Sequence, residues 1–225
     1  MPNPDLGWRF VEMFYDYRSE KTGMTTANKI TIVRIAMIPL FVLMAIYYGE
    51  SIQRGAPLEW QRYTAIVIFL VAAASDGIDG YVARRYKQRS ALGSILDPIA
   101  DKGLLLSAII TLSISNWSVV DPDYGRFPAW FPVLVITRDA VILVGAAILH
   151  LLIGDKMRVK PSWTGKVATV CQMCAIAWVM LQLRFLPLLF VVIVAGIFTF
   201  ISGMIYVVDG VRQLQAEGHA HAKVD

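Results

Sequence analysis

Six apolar stretches, near 30–48, 63–82, 95–115, 130–153, 167–183 and 186–208, constrain this 225-residue chain more than any other feature. Each has about 20 residues, enough for a helix to cross a hydrocarbon core roughly 30 Å thick. Charged residues make up only 17% of the chain against 56% hydrophobic ones, where about 25% charged is usual for soluble domains. The mean hydropathy is +0.56. The expected fold is therefore all-α, a polytopic membrane protein with six transmembrane helices spanning 30–208. Residues 1–29 form an N-terminal cytoplasmic or interfacial segment and 209–225 a polar cytoplasmic tail expected to fray, which leaves no room for a second domain. The first stretch does not read as a cleavable signal, since 29 residues precede it and no small-residue cleavage pattern follows.

Lys and Arg fall on one side of this layout. Arg9, Arg18, Lys21 and Lys29 precede the first stretch; Arg84, Arg85, Lys87 and Arg89 follow the second; Lys156, Arg158, Lys160 and Lys166 follow the fourth. The other side holds Arg54, Arg62, Arg126 and Arg184. The positive-inside rule makes both termini and the basic turns cytoplasmic. The net charge of +4 then reflects topology and attraction to anionic membrane lipid, and nucleic acid is not an expected partner.

Several smaller features read as structural. Cys171 and Cys174 form a C-x-x-C inside an apolar run with no His or Cys nearby, which suits packing better than redox or zinc chemistry. Arg9, Glu12, Asp16 and Glu20 recur at helical spacing opposite Phe10, Met13, Phe14 and Tyr17, as in a helix lying along lipid headgroups. Thr25, Thr26 and Asn28 offer helix-capping chemistry. His150 reads as a packed or interfacial histidine, and His219 and His221 as part of a solvated tail.

The chemistry concentrates where the second and third stretches meet. Asp76 and Asp79 are three residues apart, Asp97 and Asp101 four apart, so each pair shares a helix face. A short turn between the helices makes them antiparallel neighbours and lets the four carboxylates converge. Each Asp in a membrane helix costs roughly 2.5–3.5 kcal/mol, so four demand compensation. A hard divalent cation supplies it, and oxygen-only ligands suit Mg²⁺ or Mn²⁺. Gly80 stands one turn beyond Asp76, Ala83 one beyond Asp79 and Gly93 one before Asp97. Small residues there let a ligand approach the backbone, and Arg84 can contact phosphate at the cytoplasmic end. The competing reading pairs the acids with Arg84, Arg85 and Lys102 as buried ion pairs, which leaves the small residues unexplained. A cation transporter also places acids in membranes, though usually near midplane on broken helices in repeated halves, and no repeat is visible here.

The segment 76–101 fits D-x2-D-G-x2-A-R-x8-G-x3-D-x3-D at every fixed position and so resembles the CDP-alcohol phosphotransferases. The resemblance implies a metal-dependent phosphatidyltransferase that takes a phosphatidyl group from CDP-diacylglycerol and releases CMP. It further implies two ions held by Asp76, Asp79, Asp97 and Asp101, with Asp101 as general base. Asp76, Gly80, Ala83, Arg84 and Gly93 then line the nucleotide pocket, and a homodimer is the expected assembly. The expected location is a bacterial inner membrane with the site facing the cytoplasm.

A second cluster is the candidate acceptor site: Arg138 inside the fourth stretch, Lys160 and Lys166 around the following turn, and Arg34 in the first. An arginine inside a span should face a polar cavity. The alternative pairs Arg138 and Asp139 each with a neighbouring helix, because adjacent helical residues do not face each other, and makes the lysines positive-inside anchors. Ser162 to Val167 and the Asn28, Thr31, Arg34 spacing resemble phosphatidylglycerophosphate synthases, which use glycerol 3-phosphate. Ala27 in place of a common proline and Asp139 in place of a common glutamate depart from them. Arg138-Asp139, Lys160-Pro161 and the run Arg89 to Ser94 also resemble cardiolipin synthases, which use phosphatidylglycerol. The acceptor stays open at this level.

The orientation is testable by labelling. With Cys171 and Cys174 replaced by alanine, a cysteine at position 88 should escape a membrane-impermeant thiol reagent applied outside intact cells. Strong external labelling there would overturn the topology.

Overall fold

The computed structural model describes residues 26–86, 91–119, 122–153 and 163–221, with side chains except at 26–30, 76–86, 91–99, 101, 122–123, 147, 150–153, 214 and 216–221. The expected interfacial segment, the turn residues 87–90, the turn 154–162 with Lys160, and the last four residues lie outside this set. Regular structure among the described residues is entirely helical. It comprises α1 (Thr26–Gln53), α2 (Glu59–Tyr86), α3 (Ala91–Ile114), α4 (Pro122–Gly125), α5 (Trp130–Ile153), α6 (Trp163–Met180) and α7 (Leu188–His221).

Each of the six apolar stretches lies within or largely within one long helix, and most helices extend beyond the apolar run. The described part of α1 begins at Thr26, and Thr25 of the expected capping cluster lies outside the described residues. The expectation of a frayed tail from Asp209 is corrected, because α7 continues to His221. Leu214, Gln215, Ala216 and Glu217 are strong helix formers with no proline among them, and a Cβ on Gly210 would lie 3.4 Å from Leu149, so α7 still packs on α5 there. The four-residue α4 escaped the hydrophobic pattern because one turn is too short to show a period, although Pro122 at its first position favours helix entry.

Thr31–Gln53 and Leu188–Gln213 are each long and apolar enough to cross a membrane. The outward surface agrees with a lipid environment: Leu70, Ile114, Val133, Leu143, Phe190 and Phe200 are each more than half exposed. A water-soluble monomer rarely presents contiguous apolar surface of this kind.

Packing divides the helices into two groups. α1 lies along α2 and α3, while α5 and α6 lie along α7; α3 also touches α2, α5 and α6 and so joins the groups. Alanines occupy many of the tightest positions, with Ala45, Ala65, Ala72, Ala108, Ala175 and Ala195 fully buried. Small side chains let helices approach closely where lipid offers no hydrophobic drive. Larger groups fill the remaining core, including the Phe41 and Phe69 rings at 5.6 Å and Tyr48 and Trp117 at 4.9 Å.

One polar clamp fixes the end of the bundle opposite the α2–α3 turn. α6 ends with Leu183 N–H donating to Trp178 O and Gln182 N–H to Val179 O, and Gln182 adopts φ 53°. This is a helix cap normally given to glycine. Gln182 is held there by its amide, which donates to Tyr48 Oη at 2.9 Å and to Trp117 O at 2.7 Å.

Among the described glycines of the long helices, close approach is strictest at Gly49, where an added Cβ would come 2.6 Å from Ser115 Cβ. Gly49→Ala should therefore destabilise the protein by about 1–3 kcal/mol through overpacking. Thermal unfolding in detergent should show a lowered midpoint, with Ser115→Gly in the same chain restoring part of it. An unchanged midpoint for Gly49→Ala would refute the contact.

Candidate active site

The two acidic pairs fall on two unbroken helices that touch. Asp76 and Asp79 lie toward the C-terminal end of α2, Asp97 and Asp101 in the N-terminal half of α3. Four residues, 87–90, separate the helices, so α2 and α3 form a hairpin with both pairs in the half nearest that turn. The helical register puts each pair on one face, with Gly80 and Ala83 one turn beyond their aspartates on α2 and Gly93 one turn before Asp97 on α3. The side chains of Asp76, Asp79, Ala83, Arg84, Asp97 and Asp101 lie outside the described residues, as do the immediate surroundings of Gly80 and Gly93. Among the described residues no group of three or more His, Cys, Asp or Glu gathers elsewhere. Four carboxylates on one hairpin provide only hard oxygen donors, and that donor set fits Mg²⁺ or Mn²⁺.

Described side chains flank the hairpin on two sides. On the α1 side, Arg34 is 1% exposed and its Nε donates to Ser75 Oγ at 3.2 Å; Ser75 immediately precedes Asp76. The Ser75 hydroxyl in turn donates to Ala72 O at 2.8 Å, which directs its oxygen toward the guanidinium. Thr31, one turn before Arg34, is also fully buried.

On the α5 side, Lys102, which immediately follows Asp101, donates from Nζ to Asp139 Oδ1 at 3.0 Å. Arg138 donates to the same oxygen at 2.6 Å and from its other terminal nitrogen to Ser202 Oγ on α7 at 2.8 Å. The Arg138 and Asp139 side chains are 9% and 10% exposed. A Cβ on Gly203 would lie 3.4 Å from the Arg138 chain, an ordinary contact, so the arginine stem runs alongside α7 at that point.

Two sequence expectations change here. Arg138 and Asp139 each pair with a neighbouring helix, as the alternative reading had it, but they also pair with each other, because the long arginine chain bends around the helix to reach its neighbour. Lys102 finds its anion across the helix interface at Asp139, whereas the sequence offered it as a partner for the hairpin acids. Lys102, Ser75 and Ser202 were absent from the candidate set. For Lys102 a signal existed: a lysine and an aspartate both lying within apolar helical stretches call for each other. Arg34 and Arg138 approach the hairpin from different helix groups, Lys166 is exposed in the first turn of α6, and Lys160 lies outside the described residues. Cys171 and Cys174 are both free thiols on α6.

A helical chain with an acidic hairpin of this spacing belongs to a class of membrane-associated transferases, and residues 24–208 match the family model for CDP-alcohol phosphatidyltransferase. The chain belongs to that family. It is 35% identical over 191 residues to a probable phosphatidylglycerophosphate synthase of Mycobacterium tuberculosis, covering 84% of this chain and 82% of that protein. It is 32% identical over 151 residues to a CDP-diacylglycerol--glycerol-3-phosphate 3-phosphatidyltransferase of Escherichia coli K12, covering 67% of this chain and 74% of the relative. Family membership sets aside the cation-transporter reading.

Proposed function

We propose that this protein transfers a phosphatidyl group from CDP-diacylglycerol to sn-glycerol 3-phosphate, giving phosphatidylglycerophosphate and CMP. The observation that carries the reading is the acidic hairpin, with both aspartate pairs on the touching helices α2 and α3, in a chain of this family. The choice of acceptor is supported by the relatives, whose names specify phosphatidylglycerophosphate synthesis or glycerol 3-phosphate. Phosphatidylglycerol, the acceptor of cardiolipin synthesis, has no comparable support. The six long helices serve as six membrane spans, with the hairpin opening to the cytoplasm of a bacterial inner membrane, and the assembly is a homodimer.

In this mechanism Asp76, Asp79, Asp97 and Asp101 hold two Mg²⁺ or Mn²⁺ ions, which when bound neutralise charge on the pyrophosphate. Arg84 contacts the diphosphate, while Gly80, Ala83 and Gly93 leave space for the cytidine diphosphate against the backbone. Asp101 takes the proton of the acceptor hydroxyl as that oxygen attacks the phosphorus bearing diacylglycerol. A new oxygen–phosphorus bond forms, the bond to the bridging oxygen breaks, and CMP leaves with the electron pair. Direct displacement needs no protein nucleophile.

The acceptor's phosphate is held by Arg138, with Lys160, Lys166 and Arg34 adding positive potential on its route. Arg138 is eight residues into α5 from Trp130, roughly 12 Å along the helix, so an acceptor held there has to reach toward midplane. The arginine's anchors on Asp139 and Ser202 leave its Nε buried without an acceptor among the described residues.

Purified protein supplied with CDP-diacylglycerol, glycerol 3-phosphate and Mg²⁺ should release CMP and form phosphatidylglycerophosphate. Cardiolipin from phosphatidylglycerol, with no product from glycerol 3-phosphate, would overturn the acceptor assignment. Asp101→Asn should lower turnover roughly 10²–10⁴-fold, the range for a lost general base. Arg138→Ala should raise the KM for glycerol 3-phosphate by about tenfold or more, as expected for a lost charge-assisted contact, with little change for CDP-diacylglycerol.

A further inference from the structure

One carboxylate oxygen in this protein serves two cations. Asp139 Oδ1 accepts from Lys102 Nζ at 3.0 Å and from Arg138 at 2.6 Å. Lys102 belongs to α3, next to Asp101, while Arg138 belongs to α5 and is tied at its far corner to Ser202 of α7. The bridge therefore sets the height of α5 against the helix that carries Asp97 and Asp101. Among the described residues the cluster contains two positive charges and one negative, and Arg138 Nε has no acceptor.

We propose that Lys102 and Asp139 are positioning residues for the acceptor step. They hold Arg138 at a fixed distance from the α3 aspartates, so that an acceptor gripped by its anionic group presents its hydroxyl to Asp101. This rests on the assignment of Arg138 to the acceptor's phosphate and extends it to two residues that contact no substrate. The grip is on α5 and the base on α3, and the two must match the length of one small molecule. A misplacement of about 1 Å can cost on the order of 10²-fold in rate. The Lys102–Asp139 pair directly links those helices at this level. Ser202 fixes the other side of the guanidinium, which restricts Arg138 from swinging toward α7.

The test uses full-length protein in detergent, with kcat and KM measured for each substrate alongside the thermal midpoint. Asp139→Asn keeps the shape but weakens the hold on both cations; kcat/KM for glycerol 3-phosphate should fall about tenfold or more, while KM for CDP-diacylglycerol stays within about twofold. Asp139→Glu, which keeps the charge, should recover most of the loss. Lys102→Met should show the same split to a smaller degree. A purely structural bridge would lower the midpoint and affect both substrates alike, and that outcome overturns the proposal. If Asp139→Asn does not accumulate, Lys102→Met decides the matter, since Lys102 is the more exposed partner and the Arg138–Asp139 pair remains. A strong effect of Arg138→Ala with silent Lys102→Met and Asp139→Asn sinks this inference alone. A silent Arg138→Ala removes the Arg138 assignment as well, whereas product analysis with the unmodified protein tests the reaction independently.

Discussion

Charge held among apolar helices is the constraint on which the rest of this protein depends. An ionised group in a low-dielectric interior must find a partner or change its protonation state. The described interior meets this demand by crossing helix boundaries. Arg34 on α1 reaches Ser75 on α2, Lys102 on α3 reaches Asp139 on α5, and Arg138 on α5 reaches Ser202 on α7. Gln172 and Thr199 repeat the pattern with neutral groups, joining α6 to α7 at 2.9 Å. In apolar surroundings such contacts specify which helices meet and at what height, a choice that apolar side chains alone leave loosely defined.

α3 is the element on which these demands converge. It touches α1, α2, α5 and α6, carries Asp97 and Asp101 in its first half, and buries Leu104, Leu105, Ala108, Ile109 and Leu112 beyond them. The apolar half anchors the helix in both groups and the acidic half gains its rigidity from that anchoring. The catalytic role proposed for these carboxylates calls for a well-fixed support, and a central helix packed on several sides provides one. Lys102 stands at the boundary between the halves, which is why its ion pair can couple the site to α5.

The outer end of the bundle is tied separately. Tyr48, Trp117 and Gln182 come from α1, the α3–α4 connection and the end of α6, and their hydrogen bonds close the molecule there. Tyr48 also donates to Glu59 at 3.3 Å, at the start of α2. These contacts tie the end of the bundle opposite the acidic hairpin.

Much of this was legible from sequence because the relevant signals are local. Apolar runs of about 20 residues declare helices, and a D-x2-D followed by D-x3-D on adjoining helices declares two acidic faces through helical periodicity alone. The family was legible in the same way, since the spacing from Asp76 to Asp101 lies within one hairpin. Other features depended on distance in space. That Lys102 would meet Asp139, 37 residues away, and that Arg138 would meet Ser202, 64 residues away, follows from how α3, α5 and α7 pack. So does the use of a glutamine in a left-handed cap, which is tolerable because Tyr48 and Trp117 hold its amide. The sequence by itself determined the helices, the positions of their charges and the shared face of each acidic pair, because those rest on bonded neighbours and the 3.6-residue period. Only the tertiary structure decided which buried charge answers which, because partners in an apolar interior are chosen by the approach of whole helices.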